Sequence, residues 1–214
     1  MAQQSGGRSD PSGANLSQHR GGDNGLKENL SPARLTIRPM ELRDVPRVRE
    51  IDLASFSLPW PERSFRFEIT ENPASRLWVA EIQMAEGQNE VVGMIVMWQV
   101  LDEAHIGTFA IHPAYRKQGI GRRLLAESLL EVYEMGVRQC YLEVRRSNLA
   151  AQNLYKKFGF KVTAVRNGYY RDNGEDALIM TLENINPQKL RAFLQDDKEV
   201  GTIPSGEIDH ESSG

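Results

Sequence analysis

Phe109-Ala110-Ile111-His112-Pro113-Ala114-Tyr115-Arg116-Lys117-Gln118-Gly119-Ile120-Gly121-Arg122-Arg123 is the stretch on which the reading of this chain turns. A strand ends at Ile111, a basic glycine turn follows, and a helix begins near Gly119. Unpaired amides at a helix start point outward and attract anions. Glycines let the backbone approach a phosphate with no Cβ in the way. Arg116, Lys117 and Arg122 add positive charge. Together these features describe a pyrophosphate cradle. A plain strand-to-helix loop with flexible glycines and a solvated basic face has the same outline, because short glycine motifs recur by chance. The turn is not a Walker loop, since no Gly-Lys-Ser or Gly-Lys-Thr is present. It also lacks the third spaced glycine and strand-terminal acid of the dinucleotide fingerprint.

The flanking sequence predicts a mixed α/β domain. Leu35 to Arg38 alternates like a strand, and Asp44 can cap a helix that tolerates Pro46 and runs to about Ala54. Pro61 could start a second helix carrying Phe65, Phe67 and Ile69. Leu77 to Ile82 and Val91 to Val100 read as strands joined by a turn at Gly87-Gln88-Asn89, and His105 to Ile111 as a third. Ile120, Leu124, Leu125, Leu129, Val132 and Tyr133 follow helical spacing. Cys140 to Val144 is a strand, and Ala150, Ala151, Leu154, Tyr155 and Phe158 mark a helix that Gly159 stops. Val162 to Val165 and Ala177 to Leu182 close the domain as strands. The order β-α-α-β-β-β-α-β-α-β-β implies a mostly antiparallel sheet with a parallel βαβ pair inside it.

Composition limits the alternatives. The 214 residues carry a formal charge of −3 and a pI near 5.9, which argues against a polybasic nucleic-acid or membrane-surface protein. No apolar run approaches bilayer-spanning length. A single cysteine, Cys140, excludes an internal disulfide and any multi-cysteine metal site, and fits a reducing cytoplasm. Residues 1–33 hold no aromatic or β-branched residue, so they are expected to be disordered. They are unlike a secretory or transit signal. The domain is expected over residues 34–185, where 20 basic and 20 acidic groups balance. Residues 186–214 read as an acidic tail with a weak amphipathic stretch, Pro187 to Phe193, followed by disorder.

Arg116-x-x-Gly119-x-Gly121 resembles motif A of the GNAT acetyltransferases, which bind the pyrophosphate of acetyl-CoA at this helix start. The likeness spans about Leu35 to Leu182. It extends to Leu58-Pro59-Trp60, Asp102-Glu103-Ala104, Leu142-Glu143-Val144-Arg145-x-Ser147-Asn148, and Tyr169-Tyr170 with Glu175-Asp176-Ala177. That set is similar to the bacterial ribosomal-protein-alanine N-acetyltransferases, the RimI type. The resemblance implies an α/β (α+β) GNAT fold: a seven-stranded, mostly antiparallel sheet, a splayed central parallel pair and four flanking helices. The strand ending at Ile111 would splay from that at Leu142, and the pantetheine arm would enter the opening. Acetyl-CoA would be the co-substrate, with no metal. Phe109, Ala110, Ile111, Arg116, Lys117, Gln118, Gly119, Ile120, Gly121, Arg122 and Asn148 would contact it.

Acetyl transfer from a thioester to an amine must deprotonate an ammonium, stabilise an oxyanion and protonate the leaving thiolate. By resemblance Glu143 is the general base, directly or through water, and Tyr155 the general acid toward the coenzyme sulfur. Read from the residues alone, Glu143 could instead pair with Arg145 or Arg146, or be solvated, and Tyr155 could be a core aromatic. Asn148 is a plausible N-cap as well as a coenzyme contact. The oxyanion donor would be a backbone N–H near Ile111. His105 and His112 lack partners at zinc spacing, and Cys140 reads as a small core residue. Trp60, in a Pro-rich connection, is either a lid over the core or a wall of the substrate groove.

The leading expectation is therefore Nα-acetylation of a protein N-terminus, of a ribosomal protein by resemblance, with Trp60, Tyr169 and Tyr170 lining the peptide groove. A small-molecule amine acetyltransferase shares motif A. The Tyr169-Tyr170 and Glu175-Asp176-Ala177 blocks speak for a peptide. A non-catalytic acyl-CoA-binding module would not need both Glu143 and Tyr155. Neither nucleic acid nor membrane is expected as a direct partner, and the oligomeric state is left open, a monomer included.

Overall fold

The computed structural model describes residues 34–83 and 88–195. The readings for residues 1–33, for Gly87 and for the chain beyond Gln195 lie outside the described residues. One seven-stranded sheet organises the rest: β1 (Leu35–Pro39), β2 (Ser75–Gln83), β3 (Asn89–Val100), β4 (Glu103–Ile111), β5 (Gln139–Arg145), β6 (Lys161–Tyr170) and β7 (Glu175–Leu182). Its order is β1-β2-β3-β4-β5-β7-β6. Only β4 and β5 run parallel, as the crossover between them requires. The helices are α1 (Val45–Ser55), α2 (Glu62–Thr70), α3 (Ile120–Glu134), α4 (Leu149–Phe158) and α5 (Pro187–Gln195).

Helical periodicity becomes packing most clearly in α3. Ile120, Leu124, Leu125, Leu129 and Val132 are all buried against one face of the sheet. Fully burying such a side chain is worth about 1.5–3 kcal/mol. On the opposite face a smaller core joins Val45, Val48 and Ile51 of α1 and Phe65 of α2 to Val79, Met94 and Val96. Cys140 is fully buried, and burial pushes its thiol pKa up, as suits a core residue.

The weak helix expected in the tail over Pro187 to Phe193 is α5, which buries Leu190 and sets Phe193 against Phe158 with ring centroids 4.5 Å apart. Two expectations change. Asp44 precedes α1 without capping it. Its buried carboxylate instead accepts two hydrogen bonds from Arg38, at 2.7 and 2.8 Å, and one from the Glu41 N–H. The strand expected over Val162 to Val165 extends to Tyr170, because the polar stretch after Arg166 is a bulge and not a stop. Gly168 there has φ +59° and donates its N–H to Asp176.

Candidate active site

Pairing between β4 and β5 runs only from Glu103–Gln139 to Ile106–Leu142. Beyond that point β4 continues to Ile111 and β5 to Arg145 without pairing to each other. The cause is visible on the other side of β4. The β3–β4 register skips Gly107, a bulge that bends and twists the strand away. Gly107 also makes room: a Cβ there would lie 2.8 Å from the Trp98 ring. The opening leads into a cleft of about 1550 Å³. That exceeds the usual 300–1,000 Å³ of a single-ligand pocket, so two substrates can share it. Phe109, Ala110 and Ile111 line it, and the β4 edge past Ile106 offers unpaired backbone groups to an extended, amide-bearing ligand.

The glycine turn closes one end. Among the described residues the N–H groups of Lys117, Gln118 and Gly119 reach no backbone carbonyl. Those of Ile120 and Gly121 lie in the first turn of α3, which a helix leaves without internal partners. Lys117 and Gly119 take φ of +63° and +83°, so the loop turns through the left-handed region at both positions. Gly121 lines the cleft, and a Cβ there would meet Ile111 and Phe109, two other lining residues, at 3.4 Å. Its lack of one leaves space for a ligand. Arg116 braces the loop, donating to the Ile111 carbonyl at 2.9 Å and to Ser55 Oγ at 3.0 Å. Arg122, Gln118 and Asn148 also line the cleft. Asn148 caps α4 by accepting from the Ala151 N–H at 3.1 Å. The residues present therefore fit a pyrophosphate with an extended arm.

At the mouth of the opening stands Glu143. It pairs with neither Arg145 nor Arg146, which are engaged by Asp172 and Glu175, and by Asp176. Its Oε2 accepts from His105 Nε2 at 2.6 Å, and its Oε1 lies 2.9 Å from Arg166 Nη1 in an ion pair. The His105 hydrogen bond holds the Glu143 carboxyl below its ordinary range, and the nearby Arg166 charge adds to this against burial. Tyr155, almost wholly buried on α4, also lines the cleft. Burial pushes its phenol pKa up, so it stays protonated at neutral pH.

The far end is walled by aromatics. Trp60 packs on the smaller core and also lines the cleft. It stacks on Trp98 with centroids 5.8 Å apart, and Trp98 abuts His105, which stacks on Tyr141 at 4.5 Å. Two buried carboxylates hold this row. Asp52 accepts from the Trp60 N–H at 2.6 Å, and Glu68 from Trp98 Nε1 at 2.8 Å. Opposite, the β6 bulge sends both Tyr169 and Tyr170 to the cleft, edge to face at 5.2 Å.

A match to the acetyltransferase (GNAT) family covers residues 45–160. The chain belongs to the GNAT acetyltransferase family. A Bacillus subtilis protein described as a candidate ribosomal protein bS18-alanine N-acetyltransferase is 42% identical over 144 residues, which are 67% of this chain and 92% of that one. The ribosomal protein bS18-alanine N-acetyltransferase of Escherichia coli K12 is 35% identical over 149 residues, 69% of this chain and 96% of that one. The crystal structure of the ribosomal-protein-S18-alanine N-acetyltransferase from Escherichia coli superposes with a TM-score of 0.62 at 32% identity, covering 72% of this chain and 96% of the other.

Within this GNAT site two residues escaped the reading of the sequence. His105, set aside for want of zinc partners, is bonded to Glu143, and Arg166 was not singled out. The signal for His105 was strand alternation. Tyr141, Glu143 and Arg145 share the less buried face of β5, and His105 pairs with Tyr141 in the parallel ladder. Arg166 had no local signal, because it reaches Glu143 from β6, the far neighbour of β7.

Proposed function

We propose that this GNAT enzyme transfers the acetyl group of acetyl-CoA to the α-amine of a protein N-terminus, the N-terminal alanine of a ribosomal protein by analogy with its named relatives. The observation that carries the reading is Glu143. It is a carboxylate at the mouth of the β4–β5 opening, between an anion cradle and an aromatic groove. Acetyl-CoA, when bound, supplies an activated thioester. The free amides of the glycine turn would hold its diphosphate, and the open edge of β4 would align its arm.

Glu143 takes the proton of the substrate ammonium, directly or through water. Its depressed pKa keeps it ionised across the neutral range, as a base must be. Tyr155 has the opposite bias and delivers a proton to the departing sulfur. Trp60, Tyr169 and Tyr170 flank an extended peptide, so contacts beyond the reacting amine contribute to turnover. A ribosomal substrate places the reaction in the cytoplasm.

The test is kinetic. Glu143→Gln should slow peptide acetylation about 10²–10⁴-fold with acetyl-CoA affinity unchanged. A wild-type rate removes Glu143 from the mechanism. Peptides beginning with Ala should react far faster than free alanine or aminoglycosides. Equal kcat/KM for peptides and small amines would replace the peptide groove with a small-molecule site.

A further inference from the structure

Both oxygens of the Glu143 carboxylate are occupied, but by partners of very different freedom. His105 is fixed. Its ring lies flat on Tyr141, 9° from parallel, and its other side meets Trp98 at 5.3 Å. Arg166 comes from edge strand β6, and its side chain is 50% exposed against 10% for Glu143. Its guanidinium also lies 5.4 Å from the ring of Tyr169, a groove-lining residue that can keep it when it lets go of the carboxylate. A peptide entering past Tyr169 brings a cationic N–H donor of its own to the same oxygen.

We infer that Arg166 is a positioning residue that stands in for the substrate's α-ammonium on Glu143 Oε1 and yields that oxygen when a peptide N-terminus arrives. This rests on Glu143 being the base. The exchange is cation for cation, so the largely buried carboxylate is never left without a counter-charge. The substrate then gives its proton to Oε1. One N–H bond breaks as one O–H bond forms, and His105 keeps Oε2 oriented throughout. The titratable or charged groups around Glu143 are His105 from β4, Tyr141 on its own strand, and Arg166 and Tyr170 from β6. Of these Arg166 is the permanent cation. Removing it should raise the Glu143 pKa, whereas an aromatic change would not.

The experiment uses Arg166→Ala and Arg166→Lys in the full chain, with an Ala-starting peptide varied across pH. Arg166→Ala should lower peptide KM about 2- to 5-fold at neutral pH, the worth of a half-exposed ion pair. It should also move the acidic limb of kcat/KM to higher pH, with the acetyl-CoA Kd unchanged. Arg166→Lys should restore both. A peptide KM that rises, or an acidic limb that stays put, overturns the inference. Glu143→Gln separates the two claims. If it is inactive while Arg166→Ala leaves the limb unmoved, the base stands and the stand-in falls. If it keeps the wild-type rate, the base reading itself has failed.

Discussion

Replacing Gly121 with Ala should move stability and coenzyme affinity in opposite directions. Gly121 sits in the first turn of α3, outside the left-handed region, and a Cβ there would meet Ile111 and Phe109 at 3.4 Å and Leu154 at 3.9 Å. Those are ordinary contacts, so the protein has room for the methyl. Gly to Ala within a helix gains up to about 0.5–1 kcal/mol from lost chain entropy. For a domain of this size that is an unfolding midpoint about 1–4 °C higher. Ile111, Phe109 and Leu154 all line the cleft, so the same methyl takes up space at its wall, beside the amides that a diphosphate would approach. Losing one hydrogen bond to a charged group costs about 1.5–3 kcal/mol, or about 10- to 150-fold in Kd. Thermal unfolding and calorimetry with acetyl-CoA read the two effects separately. A higher midpoint with wild-type affinity would refute the cradle. Gly119 is a poorer probe, because its φ of +83° makes any side chain strained whether or not a ligand binds.

Tyr155→Phe should slow turnover about 10²-fold while the unfolding midpoint holds, since the buried ring stays and only the hydroxyl leaves. Lost stability with unchanged specific activity would make Tyr155 a packing residue. Trp60→Ala and Tyr169→Phe should raise peptide KM and spare acetyl-CoA binding in calorimetry. Trp60→Ala should also cost stability, because Phe65 and Trp98 each lose a ring neighbour. Asp52 gives a prediction in pH. Burial raises its carboxyl from 3.8 to about 6, so between those values the folded protein holds a proton that the unfolded chain has lost. Stability should fall as pH rises through that window. Asp52→Asn should flatten this part of the curve, and its advantage should be greatest above pH about 6. Parallel denaturation curves for the two proteins across pH 4–8 would show that Asp52 does not titrate in this way.

Much of the fold was legible because its signals are local. The α3 stripe, Asn148 as a cap and Gly159 as a stop each follow from neighbours within a turn or two. The structure has Gly159 at φ +107°, with the Phe160 N–H returning to the Tyr155 carbonyl at 3.1 Å. The misreadings share the opposite property. Asp44 looks like a cap until Arg38, on a neighbouring strand, claims it. Residues 166–168 look like the end of a strand until Asp176, across the hairpin, supplies the bond that lets the bulge continue. In the site, Glu143 was legible from its motif, but its partners were not. His105 and Arg166 lie 38 and 23 residues away and meet it only through sheet order.

The same dependence on distant partners governs how the candidate base is set beside the cleft. Arg145, two residues past Glu143 on β5, donates to Asp172 at 2.8 Å, to Ser57 at 3.1 Å and to Glu175 at 3.2 Å. Its guanidinium also covers the Tyr170 ring at 3.8 Å. Ser57 belongs to the connection that carries Trp60, and Asp172 and Glu175 to the β6–β7 hairpin. One planar fork therefore ties the two cleft walls to the strand that carries the candidate base. A lysine, with a single point charge and no fork, could not satisfy these acceptors together. Glu175 extends the tie by accepting the Ser147 N–H at 2.6 Å, directly before the Asn148 cap of α4, the helix that bears Tyr155. The candidate acid, the candidate base and the proposed peptide walls thus share one hydrogen-bonded frame. Arg166, half exposed at its edge, is the charged partner of Glu143 that stands outside this frame.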